Sequence, residues 1–438
     1  MNDWKESNIK SLGTVFTNNT FSRDCLNYDS GEYQNIHYGD VLITFPDVID
    51  ANSPLVPYIN SNETVKSDTF IEDGDIIVAD TAEDETVGKV CEIQNVGKRK
   101  IVSGLHTLWY RPNKNEFAPK YLGYLLNTFE CHKQLVRKAH GIKVLSINKG
   151  DFWKTIIKYP ASLNEQNAIA GIISKVDQCI ENVQKTIDAT QKLKKSLMQN
   201  LLTGRMKPDG TMRKDNEFYE HPKMGKVPIG WDVKKLKDIT LNRGDYGSNS
   251  SAVPFSKETP KFIRITDISD DGQLFENDAV SSTDTTEKYL LNDDDFLFAR
   301  TGDTVGKSLL YKEKMGNAIF AGYLIRFVLN KEIIIPEYFD LIAKSEFFES
   351  FKVSMKRVGV KPNINSREYC SFKFIIPTSK NEQLSILKYF NPISSKKIEL
   401  NQKIIYLKRL KKSLMQNLLT GKKRVNVDKI NALLESMK

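Results

Sequence analysis

LKKSLMQNLLTG, running from Leu193 to Gly204, recurs letter for letter from Leu410 to Gly421. The two copies lie about half the chain apart in a protein of 438 residues. The register holds upstream, where Pro160, Ser162, Asn164, Glu165 and Gln166 fall opposite Pro377, Ser379, Asn381, Glu382 and Gln383. So long a period excludes a solenoid. It points instead to a protein built twice, each half closing on the same helix, and hence to binding at two places a fixed distance apart.

From Asn164 to about Thr203 the pattern predicts one long helix. Ser162-Leu163-Asn164-Glu165 has the spacing of a capping box, repeated by Ser379-Lys380-Asn381-Glu382. Ile169, Ile173, Val176, Ile180, Val183 and Ile187 then alternate steps of four and three, a coiled-coil-like seam that shifts register to Leu193, Leu197 and Leu201. The second copy carries Leu400, Ile404 and Leu407, continued by Leu410, Leu414 and Leu418. Gly204 and Gly421 are the expected stops, and Pro392 is expected to kink the second helix or split off its first turns. One apolar stripe on so long a helix needs a partner. Antiparallel packing on the other copy would supply it and create a pseudo-two-fold axis; the alternative is that each stripe packs only on its own domain.

Ahead of each helix lies a globular region of mixed pattern. Asp75–Ala79 and Asp295–Ala299 read as buried strands, each followed by Thr-Val-Gly-Lys, at Thr86–Lys89 and Thr304–Lys307, where glycine permits a hairpin. Two matched helices follow, opened by Pro119 and Pro336, with Leu122, Leu125, Leu126 and Phe129 on one apolar face and Phe339, Ile342, Ala343 and Phe351 on the other. The expected division is therefore a first globular region over 1–160, its long helix over 161–204, and a polar linker over 205–226. A second region follows over 227–377, its helix over 378–421, and a tail over 422–438 that forms a brief helix packed back on the body.

Composition narrows the function classes. The net charge of +9 permits a polyanionic partner without proving one. Five scattered cysteines without a CxxC pair fit a reducing cytoplasm, and no stretch approaches a membrane span. Gly302-Asp303-Thr304-Val305-Gly306-Lys307-Ser308 imitates a P-loop but has three residues between its glycines where a phosphate cradle needs four. Asn391-Pro392-Ile393-Ser394 lacks the second proline and the aromatic of an adenine methyltransferase motif. The five histidines have no metal-ligand spacing, and no catalytic setting is recognisable.

What remains is a two-headed binding protein. It resembles the specificity (S) subunit of type I restriction–modification systems. The resemblance rests on the paired Pro-x-Ser-x-Asn-Glu-Gln segments, the duplicated helix ends, the opening Lys226-Val227-Pro228-Ile229-Gly230-Trp231, and the strand, arginine, Thr-Gly and Val-Gly-Lys run from Phe296 to Lys307. The first half departs from this pattern: Trp4 stands as the remnant of its opening, and Ala79-Asp80-Thr81-Ala82 replaces Ala-Arg-Thr-Gly. The resemblance implies an α+β fold, in which two similar mixed α/β target recognition domains are joined by two long antiparallel helices forming a coiled-coil-like spacer. It implies double-stranded DNA with a bipartite target as ligand, two methyltransferase (M) subunits docked on the helices, and restriction (R) subunits joining that core. The chain itself would be non-catalytic, with S-adenosylmethionine, ATP and Mg held only by its partners.

Loop-placed Arg, Lys, Asn, Ser and Tyr pair with base edges or phosphates. The candidate DNA-binding residues are Arg243, Tyr246, Ser248 and Asn249, then Arg300, Thr301 and Lys307, then Arg357, Lys361, Asn363 and Asn365 in the second half. In the first half they are Arg23, Lys89, His140, Lys143 and Lys149. Basic residues such as Lys194 and Lys411 on the helix flanks are candidates for phosphate or for a protein face. A non-catalytic assembly scaffold with incidental basic charge is the competing reading.

Overall fold

The computed structural model describes residues 3–275, 279–284, 286–356 and 361–436. The chain forms two compact units, one of residues 1–185 with 401–438 and the other of residues 186–400. The long helices, Leu163–Leu202 and Lys380–Leu418, therefore each give one half to each unit. At 40 and 39 residues they are each roughly 60 Å long at about 1.5 Å per residue.

In the first unit, Ile169 and Ile173 share a buried cluster with Leu418 and Leu419. Glu165 binds Arg424 through both carboxylate oxygens, at 2.6 and 2.7 Å, while Asp177 meets Lys411 at 2.7 Å. Later residues of one helix thus meet earlier residues of the other, so the pairing is antiparallel. The second unit repeats this: Leu201 and Leu202 lie in one cluster with Ile386, Leu387 and Phe390, and Arg213 reaches Glu382 at 2.6 Å. Along the seam Ile169, Ile173, Val176, Val183, Ile187, Leu201, Leu400, Leu407 and Leu418 are buried, and Ile180, Leu197, Ile404 and Leu414 half-buried.

Why each helix starts where it does is visible in one side chain. Gln166, fully buried, donates to the carbonyls of Glu116 and Pro160, both at 2.9 Å, and accepts from the Ala118 amide at 2.8 Å. Gln383, equally buried, does the same with Ile333, Pro377 and Ile335. Each glutamine ties the first helical turn to the strand before it and to the loop leading into a shorter helix. The neighbouring glutamates do not turn back as capping-box partners; their carboxylates are taken by Arg424 in one unit and by Arg213 and Trp231 in the other. Only Ser162 caps, accepting from the Glu165 amide at 3.4 Å.

The globular parts match in layout. Trp4 pairs with Pro160 in a two-stranded ladder, and Trp231 pairs with Pro377 in its counterpart. In the first unit Gly13–Phe16, Thr107–Pro112, Ile76–Ala79, Val90–Gln94 and Val48–Asp50 form a five-stranded sheet in that order. In the second, Asp245–Tyr246, Leu324–Val328, Asp295–Ala299 and Ser308–Leu310 form a four-stranded one. Both Val-Gly-Lys segments make the expected hairpins. Gly88 and Gly306, each at φ 85°, donate to Ala79 and Ala299, a conformation in which a side chain would be strained.

Other expectations are corrected. Pro392 does not divide its helix, which runs unbroken from Lys380. Pro119 does not open a helix; Lys120, at φ 71°, intervenes before Tyr121–Leu126, whereas Pro336 does open its own. Phe129 is 67% exposed, beneath the ammonium of Lys133, and starts a separate helix rather than extending the apolar face. The polar stretch 205–226 is not a slack linker. It holds a bridge between Met206 and Met212, the half-buried Arg213 paired with Glu382, and a strand Phe218–His221 that pairs with Gly225–Pro228. The tail does form a helix, Val427–Ser436, whose Leu434 packs against Gly171.

Identical letters do not give identical surroundings. Lys411 sits between Asp47 and Asp177, both at 2.7 Å, and above the Tyr124 ring. Burial opposes its charge, but the two carboxylates overcome that and raise its pKa. Its copy, Lys194, lies among Lys344, Lys397, Asp271 and Asp340; burial and the like charges outweigh the two carboxylates and lower its pKa. Lys411→Ala, which strands two carboxylates, is therefore expected to cost about 3 kcal/mol in urea unfolding. Lys194→Ala should change stability by no more than about 0.5 kcal/mol. Equal costs at the two sites would contradict this account.

Candidate nucleic-acid interface

Four loops of the second unit converge at one end of the central sheet. Arg300 follows the strand Asp295–Ala299; its amide donates to Tyr323, and its carbonyl accepts from Ile364 at 2.8 Å. Thr301 bridges to Asn363. The guanidinium lies 5.0 Å from the Tyr246 ring and 5.9 Å from the Tyr323 ring, both rings largely exposed. Tyr246 is fixed in turn, its hydroxyl accepting from the Ser366 amide at 3.1 Å. Lys361 lies over Gly302, its Cε 3.6 Å from where a β-carbon would stand. Asn365 caps the helix Ser366–Cys370, and Arg243 is exposed on the neighbouring loop, whose backbone accepts from Ser366.

The structure therefore brings the sequence candidates Arg243, Tyr246, Arg300, Thr301, Lys361, Asn363 and Asn365 into one neighbourhood. Arg357 lies outside the described residues. Ser248 is buried and donates to Asp284, while Asn249 is exposed beside Gly322. Lys307 turns away to Asp270 at 2.9 Å and to the Ile268 carbonyl at 3.3 Å.

The first unit builds the same frame with other side chains. Asp80 takes the position of Arg300: its amide donates to His106, and its carbonyl accepts from Ile147 at 2.8 Å. Thr81 pairs with Ser146, and Asn148 caps Lys149–Trp153 as Asn365 caps its helix. Burial raises the Asp80 pKa, against the Thr81 hydroxyl at 2.8 Å and the His106 ring. His140 and Lys143 stand exposed on the adjoining loop, and the Lys149 ammonium lies 4.5 Å from the Trp153 ring.

Two first-unit candidates are corrected. Lys89 donates to the carbonyls of Leu42 and Phe45 at 2.9 and 3.2 Å, and burial lowers its pKa, so its charge is used inside the fold. Arg23 clamps the buried Asp40 at 2.7 and 3.1 Å, the hydrogen bond that most raises its pKa, and also reaches the Tyr28 hydroxyl. Lys89 is thus spent inside the fold, whereas Arg23 stays exposed while its guanidinium covers a buried carboxylate.

A feature missed in the sequence is a groove of about 1300 Å³ in the second unit, where Lys194, Lys195, Lys223, Lys235, Lys352 and Lys373 gather from distant segments. The charge of Lys223 is the main cause lowering the Lys373 pKa. Among the described residues no group of His, Cys, Asp and Glu could hold a metal ion, and no helix is long and apolar enough to cross a membrane.

Residues 1–191 and 228–430 match the family described as type I restriction modification DNA specificity domain. A Methanocaldococcus jannaschii protein, provisionally named the specificity subunit of the MjaX type I restriction enzyme, is 25% identical over 97% of this chain and 94% of its own. The MjaVIII type I restriction enzyme specificity subunit of the same organism is 26% identical over 75% of this chain and 76% of its own. The crystal structure of a type I restriction–modification S subunit from M. genitalium shares the fold, with a TM-score of 0.54 at 16% identity over 95% of this chain and 96% of that one.

The pairing of the exposed Arg23 with the buried Asp40 has a measurable consequence. Arg23→Ala leaves Asp40 without that partner and, with the pair screened by solvent on the arginine side, is expected to lower the unfolding free energy by about 1 kcal/mol. Lys143→Ala, at an exposed loop position, should stay within about 0.5 kcal/mol. Chemical denaturation of the two variants checks the contrast.

Proposed function

As the chain belongs to the type I restriction–modification DNA specificity family, we propose that its two recognition domains read the two parts of a split duplex target. The domains are assigned to residues 1–160 and 227–377, and the long helices set the gap between the half-targets. In this reading the helices also dock two methyltransferase subunits, and restriction subunits join that core. The specificity chain performs no chemistry; S-adenosylmethionine, ATP and Mg are bound by its partners.

The observation that supports this most is the duplicated frame. Each unit places a strand end, a Val-Gly-Lys hairpin and an Asn-capped loop together, with different side chains on the same scaffold. Loops carried on rigid sheets suit recognition, and unlike side chains on like frames suit two unlike half-sequences. Half-sites meet a protein on matching faces of DNA only at particular spacings. A helix passing from one unit into the other converts residue number into base-pair separation.

Sequencing of modified adenines in cells carrying the complete system gives the target and its gap. Four residues inserted into each long helix near Lys185 and Asn401 add about 6 Å, close to 2 base pairs at about 3.4 Å each, with a rotation of about 40°. The expected result is an unchanged pair of half-sequences with a longer gap. Altered half-sequences at an unchanged gap would refute the spacer role. DNA affinity indifferent to sequence, in the complex with methyltransferase subunits, would favour a pure assembly scaffold.

A further inference from the structure

Positions 300 and 80 occupy the same place in the two units and carry opposite charge. Each follows a buried strand, donates its amide to the turn after the hairpin, and accepts from the residue before an Asn-capped helix's cap. At position 300 the guanidinium has two tyrosine rings near it, no carboxylate pairs with it among the described residues, and its Nε finds no hydrogen-bond partner there. At position 80 a carboxylate with a side chain 20% exposed stands 3.7 Å from the His106 ring.

We propose that Arg300 is the point at which the second unit grips a DNA phosphate, and that Asp80 leaves the first unit without that grip, so the two half-targets are held with unequal electrostatic strength. This rests on the DNA-recognition reading above. An arginine flanked by aromatic rings keeps its charge and presents its donors in a fixed fork, which matches phosphate oxygens. With Nε buried and the backbone bound on both sides, the terminal nitrogens are the donors left for a ligand. An arginine held in this way suits the phosphate contacts that fix a protein's position on the duplex. Lys361, over Gly302, adds a second cation beside it. A carboxylate at the same station would repel a phosphate, so the first unit must take its electrostatic hold elsewhere, with His140 and Lys143 exposed on the adjoining loop.

The test is the salt dependence of binding by the complete complex with methyltransferase subunits, on the duplex found by sequencing modified sites. Arg300→Gln should weaken binding about tenfold and reduce the slope of log affinity against log salt by about 0.9, the value for one phosphate. The methylated sequence should stay the same. Arg300→Lys, which keeps the charge, should retain the slope, separating lost charge from altered folding. Asp80→Arg should move the slope the other way by a similar amount, again without changing the sequence. An unchanged slope in Arg300→Gln, or relaxed choice at a single base with the slope retained, overturns the phosphate grip while leaving DNA recognition standing. Absence of sequence-specific binding by the wild-type complex would instead overturn the recognition reading itself.

Discussion

The structure depends on how the first turn of each long helix is held. A helix of this length with one apolar stripe has little reason to start at a particular residue, since nucleation is costly and propagation nearly neutral. Gln166 and Gln383 remove that freedom by satisfying three backbone groups each, in sites from which water is excluded. Leaving such groups unpaired would cost roughly 1–3 kcal/mol apiece. The start of the helix is thereby locked to the sheet region, and every residue further along inherits its register from that turn.

The adjacent glutamates complete the arrangement. Glu165 is reached by Arg424, which follows the end of the second helix; Glu382 is reached by Arg213, which follows the end of the first. Each unit therefore contains the beginning of one long helix and the end of the other. Neither half of the sequence, taken alone, supplies a complete unit: the contacts that cover the start of a helix come from the far end of its duplicate. This is why the repeated letters concentrate at the helix ends, where Leu201, Leu202, Leu418 and Leu419 are all buried beside a helix start.

Periodicity and self-similarity were enough to read the helices, their antiparallel seam, the paired strands and both hairpins, because each depends on local pattern or on internal repetition. The failures share a cause. Composition read 205–226 as a linker because its residues are polar, yet Arg213, half-buried there, pairs with Glu382, a partner far away in sequence. Residue type proposed Lys89 as a DNA contact, yet the carbonyls of Leu42 and Phe45 that occupy it come from a separate loop. Phe129 was drawn into a face by spacing that a helix break interrupts. The clustering of Arg300 with Tyr246 and Lys361 was legible only as a list of candidates, because the pairing that unites them is between loops.

Lys194 and Lys411 show what duplication does and does not preserve. The repeat fixes the helical position of both lysines. The surroundings they enter differ between the units: Lys411 is paired directly with two carboxylates, whereas around Lys194 burial and two further lysines outweigh the influence of Asp271 and Asp340. The same holds at Asp80 and Arg300, where identical hydrogen-bonded frames carry opposite charges. Main-chain geometry is shared, and side-chain charge is free to diverge upon it. The function proposed above needs both properties at once: a duplicated scaffold to set the separation of two half-targets, and surfaces independent enough for each half to discriminate on its own.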